Sequence, residues 1–178
     1  MNEPTNVRIA VIGVGMMGSL HTQDIAELEN TELVAICDID QSRADRHAEE
    51  CGVPAFYDHR QMLKETELDA VLIATPHYDH PQIAMDAFEH GLHVLLEKPI
   101  AVHVKAANEL IAAYEQAKAK FPGLAFAAMF QQRTYGFWKK IKSLLDEGEL
   151  GRLVRTTWII TDWFRTQSYY DNGGWRAT

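Results

Sequence analysis

Apolar and polar positions along this chain follow two alternating periods. "VRIAVIG" (Val7–Gly13) is a short β-branched run that ends in glycine, the pattern of a buried strand. "MMGSLHTQDIAELE" then has helical spacing, and "TELVAICD" (Thr31–Asp38) is a second strand. "QSRADRHAEECG" predicts a helix stopped by Gly52. "AFY" is a short third strand, "HRQMLKE" a short helix and "LDAVLIAT" a fourth strand. "PQIAMDAFEHG" has proline at its first position and glycine past its end, the usual helix asymmetry. "HVLLE" predicts a fifth strand, "VKAANELIAAYEQAKAK" a long amphipathic helix and "LAFAAMF" a sixth strand.

Strand runs that are apolar on both faces belong in a parallel sheet covered on both sides. With right-handed crossovers the alternation predicts an α/β, doubly wound parallel (Rossmann) sheet over residues 1–132. Residues 133–178 read as the start of a second α+β domain. "YGFWKKIKSLLDEGELG" predicts a helix, and "RLVRTTWIITDWFR" a long strand rich in β-branched and aromatic residues. Such a strand, with no later strand to pair with, implies either another molecule or further chain. An unpaired apolar edge over Leu153–Trp163 predicts homo-oligomerisation through it, or disorder where no partner is found.

Charge narrows the partners. With 17 Lys and Arg against 25 Asp and Glu, the formal charge of −8 disfavours nucleic acid and anionic membrane. No run approaches the length of a membrane span, and no leader precedes the first strand. Cys37 and Cys51 have neither metal nor redox spacing, which fits a reducing cytoplasm. No histidine pair has metal-ligand spacing, so no metal is expected.

"GVGMMG" places Gly13, Gly15 and Gly18 in GxGxxG spacing, directly after a strand and opening a helix at Met16 and Met17. The first glycine permits the tight turn, the second lets backbone approach a pyrophosphate, and the third lets helix pack on strand. The helix N-terminus offers free N–H groups to the anion. Asp38, twenty residues after Gly18, ends the second strand and is placed to accept ribose hydroxyls. A carboxylate there repels a 2′-phosphate, which favours NAD over NADP. Arg43, one helical turn on, either reaches a 2′-phosphate or is a solvated helix residue, and the second reading is favoured. The alternative is a glycine turn with no ligand, and Asp38 as a helix cap.

"ATPHYDHPQIAMDAFEHGLHVLLEKP" is more specific. Thr75 and Pro76 end strand four, His80 stands before a helix, and Glu97-Lys98-Pro99 ends strand five. Together with "VIGVGMMG", these motifs resemble the Gfo/Idh/MocA family, named for glucose–fructose oxidoreductase and inositol dehydrogenase, over Val7 to about Trp163. The resemblance implies an NAD(P)-dependent dehydrogenase that transfers hydride between nicotinamide and a sugar, polyol or related secondary alcohol. It implies that Gly13, Gly15 and Gly18 form the dinucleotide loop and that Asp38 binds ribose. Thr75, Pro76 and His80 match the segment passing the nicotinamide. Glu97, Lys98 and Pro99 match the EKP motif, whose lysine lies between nicotinamide and substrate and whose Lys–Pro bond is often cis. His77 stands where relatives often have Asn.

Lys98 lies where an open α/β sheet binds ligands, beyond the carboxyl ends of its strands. There its ammonium can hydrogen-bond a substrate oxygen and help a proton leave or return, with Glu97 to orient it. His80 reads equally as a helix cap; His21, His47, His59, His90 and His103 read as surface or packing residues. Trp158, Trp163, Phe164, Tyr169, Tyr170 and Trp175 can line a sugar pocket or form sheet core or interface. The resemblance implies that the family's third motif, an Asp or Asn followed by His, lies downstream of a "GGW" segment like Gly173–Trp175, beyond the point where this sequence stops. The expectation is therefore a cofactor half plus a stub that binds NAD without appreciable turnover. Two other readings stay open: a non-catalytic NAD-binding module, and a glycosidase that uses bound NAD transiently.

Overall fold

A computed structural model describes residues 6–161 and 164–171. The chain divides into two compact units, Met1–Met129 and Phe130–Thr178.

The first unit holds β1 (Val7–Ile12), α1 (Met16–Glu27), β2 (Thr31–Cys37), α2 (Gln41–Cys51), β3 (Ala55–Phe56) and α3 (His59–Glu65). These are followed by β4 (Ala70–Ile73), α4 (His80–Glu89), β5 (His93–Leu96), α5 (Val104–Lys120) and β6 (Phe126–Ala128). The strands form one six-stranded sheet in the order β3-β2-β1-β4-β5-β6, and every pairing is parallel. This is the doubly wound α/β fold that the alternation predicts.

Register positions the site. Cys37 pairs with Ile12, Ile12 with Ile73, Ile73 with Leu96, and Leu96 with Ala128. The residues that follow each strand therefore emerge along one edge of the sheet. The chain order reverses between β1 and β4, and the two crossovers leave toward opposite faces there, opening a crevice.

Both faces of the sheet are covered, which explains the continuous apolar runs. Ala10, Ile12, Val71, Ile73, Val94 and Leu96 point to the layer that holds Ile83, Ala87, Phe88 and Leu110 of α4 and α5. Val11, Ile36 and Leu72 alternate to the other face, with Ile25 of α1 and Ala48 of α2. Phe88 anchors the first layer: its ring centroid lies 5.4 Å from that of Tyr114 and 5.3 Å from that of Phe126. The Tyr114 hydroxyl donates to the Leu124 carbonyl, so this aromatic carries its polar tip into the core without an unmet bond. His59 and Arg60 of α3 donate to the buried Asp86 of α4 at 2.7 and 2.8 Å, joining the two helices. Among the described residues no helix is long and apolar enough to cross a membrane.

The second unit contains a 3₁₀ turn (Gln131–Thr134), α6 (Gly136–Asp146) and the short α7 (Gln167–Asp171). The long strand expected over Leu153–Trp163 is not formed: residues 153–161 carry no strand pairing, and Trp163 lies outside the described residues. A β-rich composition makes a strand only when a neighbour supplies the ladder hydrogen bonds, and these residues have none. The described aromatics of this unit make ring contacts with one another. Trp158 stacks on Trp138 with centroids 4.5 Å apart, Phe164 is exposed, and Tyr169 packs edge-on against Tyr170. Gly173 and Trp175 fall outside the described residues.

Candidate functional site

The loop after β1 is set by close backbone approach. The Gly13 N–H donates to the Cys37 carbonyl at 2.7 Å, and Gly13 has φ of 87°. A Cβ at Gly13 would lie 2.8 Å from the Thr75 nitrogen, and one at Gly18 would lie 1.8 Å from the Gly13 carbonyl oxygen. Gly15 differs, since a Cβ there would meet nothing within 4 Å. Helix α1 starts at Met16 with Gly15 as its N-cap, and its first backbone bond runs from the Ser19 N–H to the Gly15 carbonyl. The N–H groups of Met16, Met17 and Gly18 thus precede any intrahelical acceptor. The two methionine side chains are exposed. Space before Gly15 and a bare helix N-terminus make a place where an anion fits.

Asp38 sits at the end of β2 and is only 6 % exposed. Its carboxylate accepts the Val14 N–H at 2.9 Å, inside the glycine loop, and the Asp40 N–H at 2.9 Å. It is not a helix cap. Asp40 is the N-cap of α2 and accepts the Arg43 N–H. The reading of Arg43 as a solvated helix residue is corrected: its guanidinium reaches back to both Asp38 oxygens at 3.2 Å and to Asp40 at 3.1 Å.

On the other side of the crevice stand Thr75 and Pro76, after β4. Thr75 is half-buried, and its Oγ1 is a buried hydroxyl with no hydrogen-bond partner among the described residues. His80 is fully buried. It does not cap α4, whose N-cap position is Asp79. Its ring instead bridges two loops, with Nδ1 2.8 Å from the Pro99 carbonyl oxygen and Nε2 2.9 Å from the Thr75 carbonyl oxygen. Carbonyl oxygens only accept, so a ring nitrogen that carries a proton donates to the carbonyl it faces. His77 lies edge-on to it, with ring centroids 5.6 Å apart.

The end of β5 carries Glu97, Lys98 and Pro99, and the Lys98–Pro99 bond is cis. Lys98 is exposed at the sheet edge. Glu97 is buried and orients its neighbour through backbone: Oε2 accepts the Lys98 N–H at 3.1 Å, while Oε1 accepts from His21 Nε2 at 2.9 Å. Burial alone would raise the Glu97 carboxyl, but the His21 hydrogen bond, the Lys98 N–H and the nearby positive charges outweigh it and hold the group below its ordinary range. His21 is raised, first by its bond to Glu97, against the opposing effect of burial, with further help from Asp24.

All the sequence-derived site residues thus border one edge of the sheet: Gly13, Gly15, Met16, Met17 and Gly18 after β1, Asp38 after β2, Thr75, Pro76 and His80 after β4, and Glu97 and Lys98 after β5. Sequence reasoning missed the contact of His21 with Glu97 and that of Arg43 with Asp38. A signal for His21 existed, because Gly18, His21, Thr22 and Ile25 recur at i, i+3, i+4 and i+7 and are the buried stripe of α1. A histidine on such a stripe needs a partner. Among the described residues no cluster of three or more His, Cys, Asp or Glu could hold a metal ion.

Comparison with known proteins agrees with this geometry. The family model described as "Oxidoreductase family, NAD-binding Rossmann fold" (GFO_IDH_MocA) matches residues 7–122. The chain is 32% identical over 142 residues to the uncharacterized oxidoreductase YrbE of Bacillus subtilis, covering 79% of this chain and 40% of that protein. Scyllo-inositol dehydrogenase from Lactobacillus casei, solved with bound cofactor NAD(H) and scyllo-inositol, superposes with a TM-score of 0.74 at 29% identity, over 83% of this chain and 43% of that one. The WlbA dehydrogenase from Bordetella pertussis, in complex with NADH and UDP-GlcNAcA, gives 0.84 at 27% identity, over 96% and 52%. The chain spans under half the length of the curated relative named here. With the glycine loop, the parallel sheet and the match over residues 7–122 all on one domain, this chain belongs to the Gfo/Idh/MocA oxidoreductase family, with its NAD-binding Rossmann fold.

Proposed function

We propose that this chain binds NAD in preference to NADP and serves hydride transfer between the nicotinamide and a secondary alcohol of a sugar or polyol. The observation that carries the reading is the meeting of the glycine loop, Asp38, Thr75–Pro76 and Lys98 along one carboxyl edge, around the crevice between β1 and β4. The pyrophosphate is received by the first-turn N–H groups of α1, across the open space before Gly15. Asp38 accepts the ribose hydroxyls in place of the Arg43 guanidinium, which takes up an acceptor site on each carboxylate oxygen beside Val14 and Asp40. Thr75 and Pro76, fixed by His80, wall the nicotinamide end. When bound, NAD supplies the hydride acceptor. Lys98 hydrogen-bonds the substrate hydroxyl and helps its proton leave as the carbonyl forms.

Substrate class follows the neighbours: an inositol in one, a nucleotide-linked sugar in another. Calorimetric titration with NAD and NADP, followed by NADH absorbance with a panel of inositols, free sugars and nucleotide sugars, tests the reading. Tighter NAD binding supports the cofactor half, and NADH formation with a polyol or sugar supports the reaction. Binding without any hydride exchange is the outcome expected both of a cofactor half and of a cofactor-holding module, and failure of both dinucleotides to bind would overturn the proposal.

A further inference from the structure

Helix α1 and the end of β5 are joined by a buried pair that the dehydrogenase reading does not use. His21 lies three residues past Gly18, so the helix that begins at the phosphate loop carries its ring about 4.5 Å further along the axis. The ring donates from Nε2 to Glu97 Oε1 at 2.9 Å, and Glu97 Oε2 accepts the Lys98 N–H at 3.1 Å. Both side chains are more than nine-tenths buried. Asp24, on the same helix, faces Nδ1 at 3.5 Å, and Lys98 supplies the other nearby charge. The flanks contributed by β1, β4 and β5 are apolar, through Ile9, Leu72 and Leu95. A continuous path of hydrogen-bonded groups therefore runs from the phosphate-loop helix to the backbone nitrogen of Lys98.

We propose that His21 is a positioning residue: the His21–Glu97 pair fixes the strand end that carries Lys98 to the helix that receives the pyrophosphate, so that nucleotide binding at the loop resets Lys98. The proposal rests on the nucleotide-binding reading above. Its physical content is short range. A displacement of α1 along its axis moves the ring, the ring moves the carboxylate, and the carboxylate holds the amide from which the Lys98 side chain departs. Without the ring, Glu97 keeps its bond to the Lys98 N–H but loses its tie to α1.

The test uses ADP, which supplies a pyrophosphate and adenosine but no nicotinamide to touch Lys98 directly. In two-dimensional amide spectra of the chain, ADP is expected to shift the Lys98 amide and the His21 ring signals. In His21→Phe, ADP binds with unchanged affinity while the Lys98 amide no longer responds. In His21→Gln, which keeps a donor for Glu97, the response returns. If His21→Phe fails to fold, His21→Leu carries the same test, because it removes the donor and leaves Glu97 on the Lys98 N–H. A Lys98 amide that shifts equally in wild type and in the folded variant would overturn the coupling, as would a wild-type amide that ignores bound ADP. An absence of ADP binding would instead remove the nucleotide reading, and the coupling with it.

Discussion

A methyl group on Gly18 would lie 1.8 Å from the carbonyl oxygen of Gly13, so the first and third glycines of the loop are locked against each other by backbone contact. No side-chain movement relieves that overlap. A Cβ on Gly15, between them, would meet nothing within 4 Å. The three positions therefore respond differently to the same substitution. Gly18→Ala is expected to lower the thermal midpoint strongly, with a cost of several kcal/mol in the overpacking range, about 1–3 or more. Gly15→Ala is expected to melt like wild type yet lose NAD affinity, since its methyl enters the space the pyrophosphate needs. Thermal unfolding and calorimetry on the two variants separate the effects. Equal NAD affinity in Gly15→Ala would place the pyrophosphate elsewhere.

Asp38 has two tasks, and its replacement should show both. It anchors the loop through the Val14 N–H, and it faces Arg43 at 3.2 Å. Asp38→Ala is expected to weaken NAD binding about tenfold or more, the loss of a charge-assisted hydrogen bond of about 1.5–3 kcal/mol. NADP should lose less, because the repulsive carboxylate is gone and the Arg43 guanidinium is released toward a 2′-phosphate. Titrating both cofactors into wild type and variant checks this. An unchanged NAD-to-NADP ratio would show that Asp38 acts on the loop alone.

The buried pair predicts a pH window for stability. His21 is raised above its ordinary 6.5, so its contribution is complete below that value and disappears as pH climbs through the raised folded value. Glu97 is lowered beneath its ordinary 4.5, so its contribution is complete above 4.5 and disappears as pH falls through the lowered one. The stability difference between wild type and His21→Phe should thus be largest between 4.5 and 6.5, at about 1–3 kcal/mol for a hydrogen bond to a charged group. It should shrink on both sides. Urea midpoints across the pH range measure it, and a flat difference would mean that the pair contributes packing only.

Much of this was legible before any coordinates. Strands buried on two faces must be apolar at consecutive positions, so Val7–Gly13 and Leu68–Thr75 announce themselves, and glycine spacing after a strand has few other uses. What spacing does not encode is reach. Arg43 bends back across the β2–α2 turn to Asp38, a choice of rotamer that no residue interval records. His21 pairs with a residue 76 positions away, and that contact exists only once α1 lies on the sheet. Residues 153–161 show the opposite error. Their composition suits a strand, but a strand is a relation between two segments, and among the described residues no segment pairs with them.

The two cysteines should behave as opposites. Cys37 ends β2 inside the core, where burial, then the negative charges of Asp38 and Asp58, push its thiol up to about 12. Cys51 is the exposed last residue of α2. Under native conditions a disulfide-exchange reagent is expected to titrate one thiol quickly and the second only on unfolding. Cys51→Ser should abolish the fast phase. A fast phase that survives in Cys51→Ser would mean that β2 opens readily at its carboxyl end, next to the proposed ribose site.

Lys98 is exposed at the edge of the sheet, with its backbone held by Glu97 and no hydrogen bond from its ammonium among the described residues. A cation that only stabilised the fold would be paired or would cover apolar surface. This one is exposed after β5, beside residues proposed to carry the cofactor. Lys98→Ala should therefore leave thermal stability and NAD affinity close to wild type. Where turnover with a sugar or polyol is measurable, it should lower kcat by roughly the 10²–10⁴ of a lost acid–base group. Lys98→Arg should not restore the rate, because a guanidinium holds its proton throughout the accessible pH range and can only donate. Steady-state kinetics beside calorimetry separate the outcomes. A variant that turns over normally would remove Lys98 from the chemistry, and one that loses NAD would make it a cofactor ligand instead.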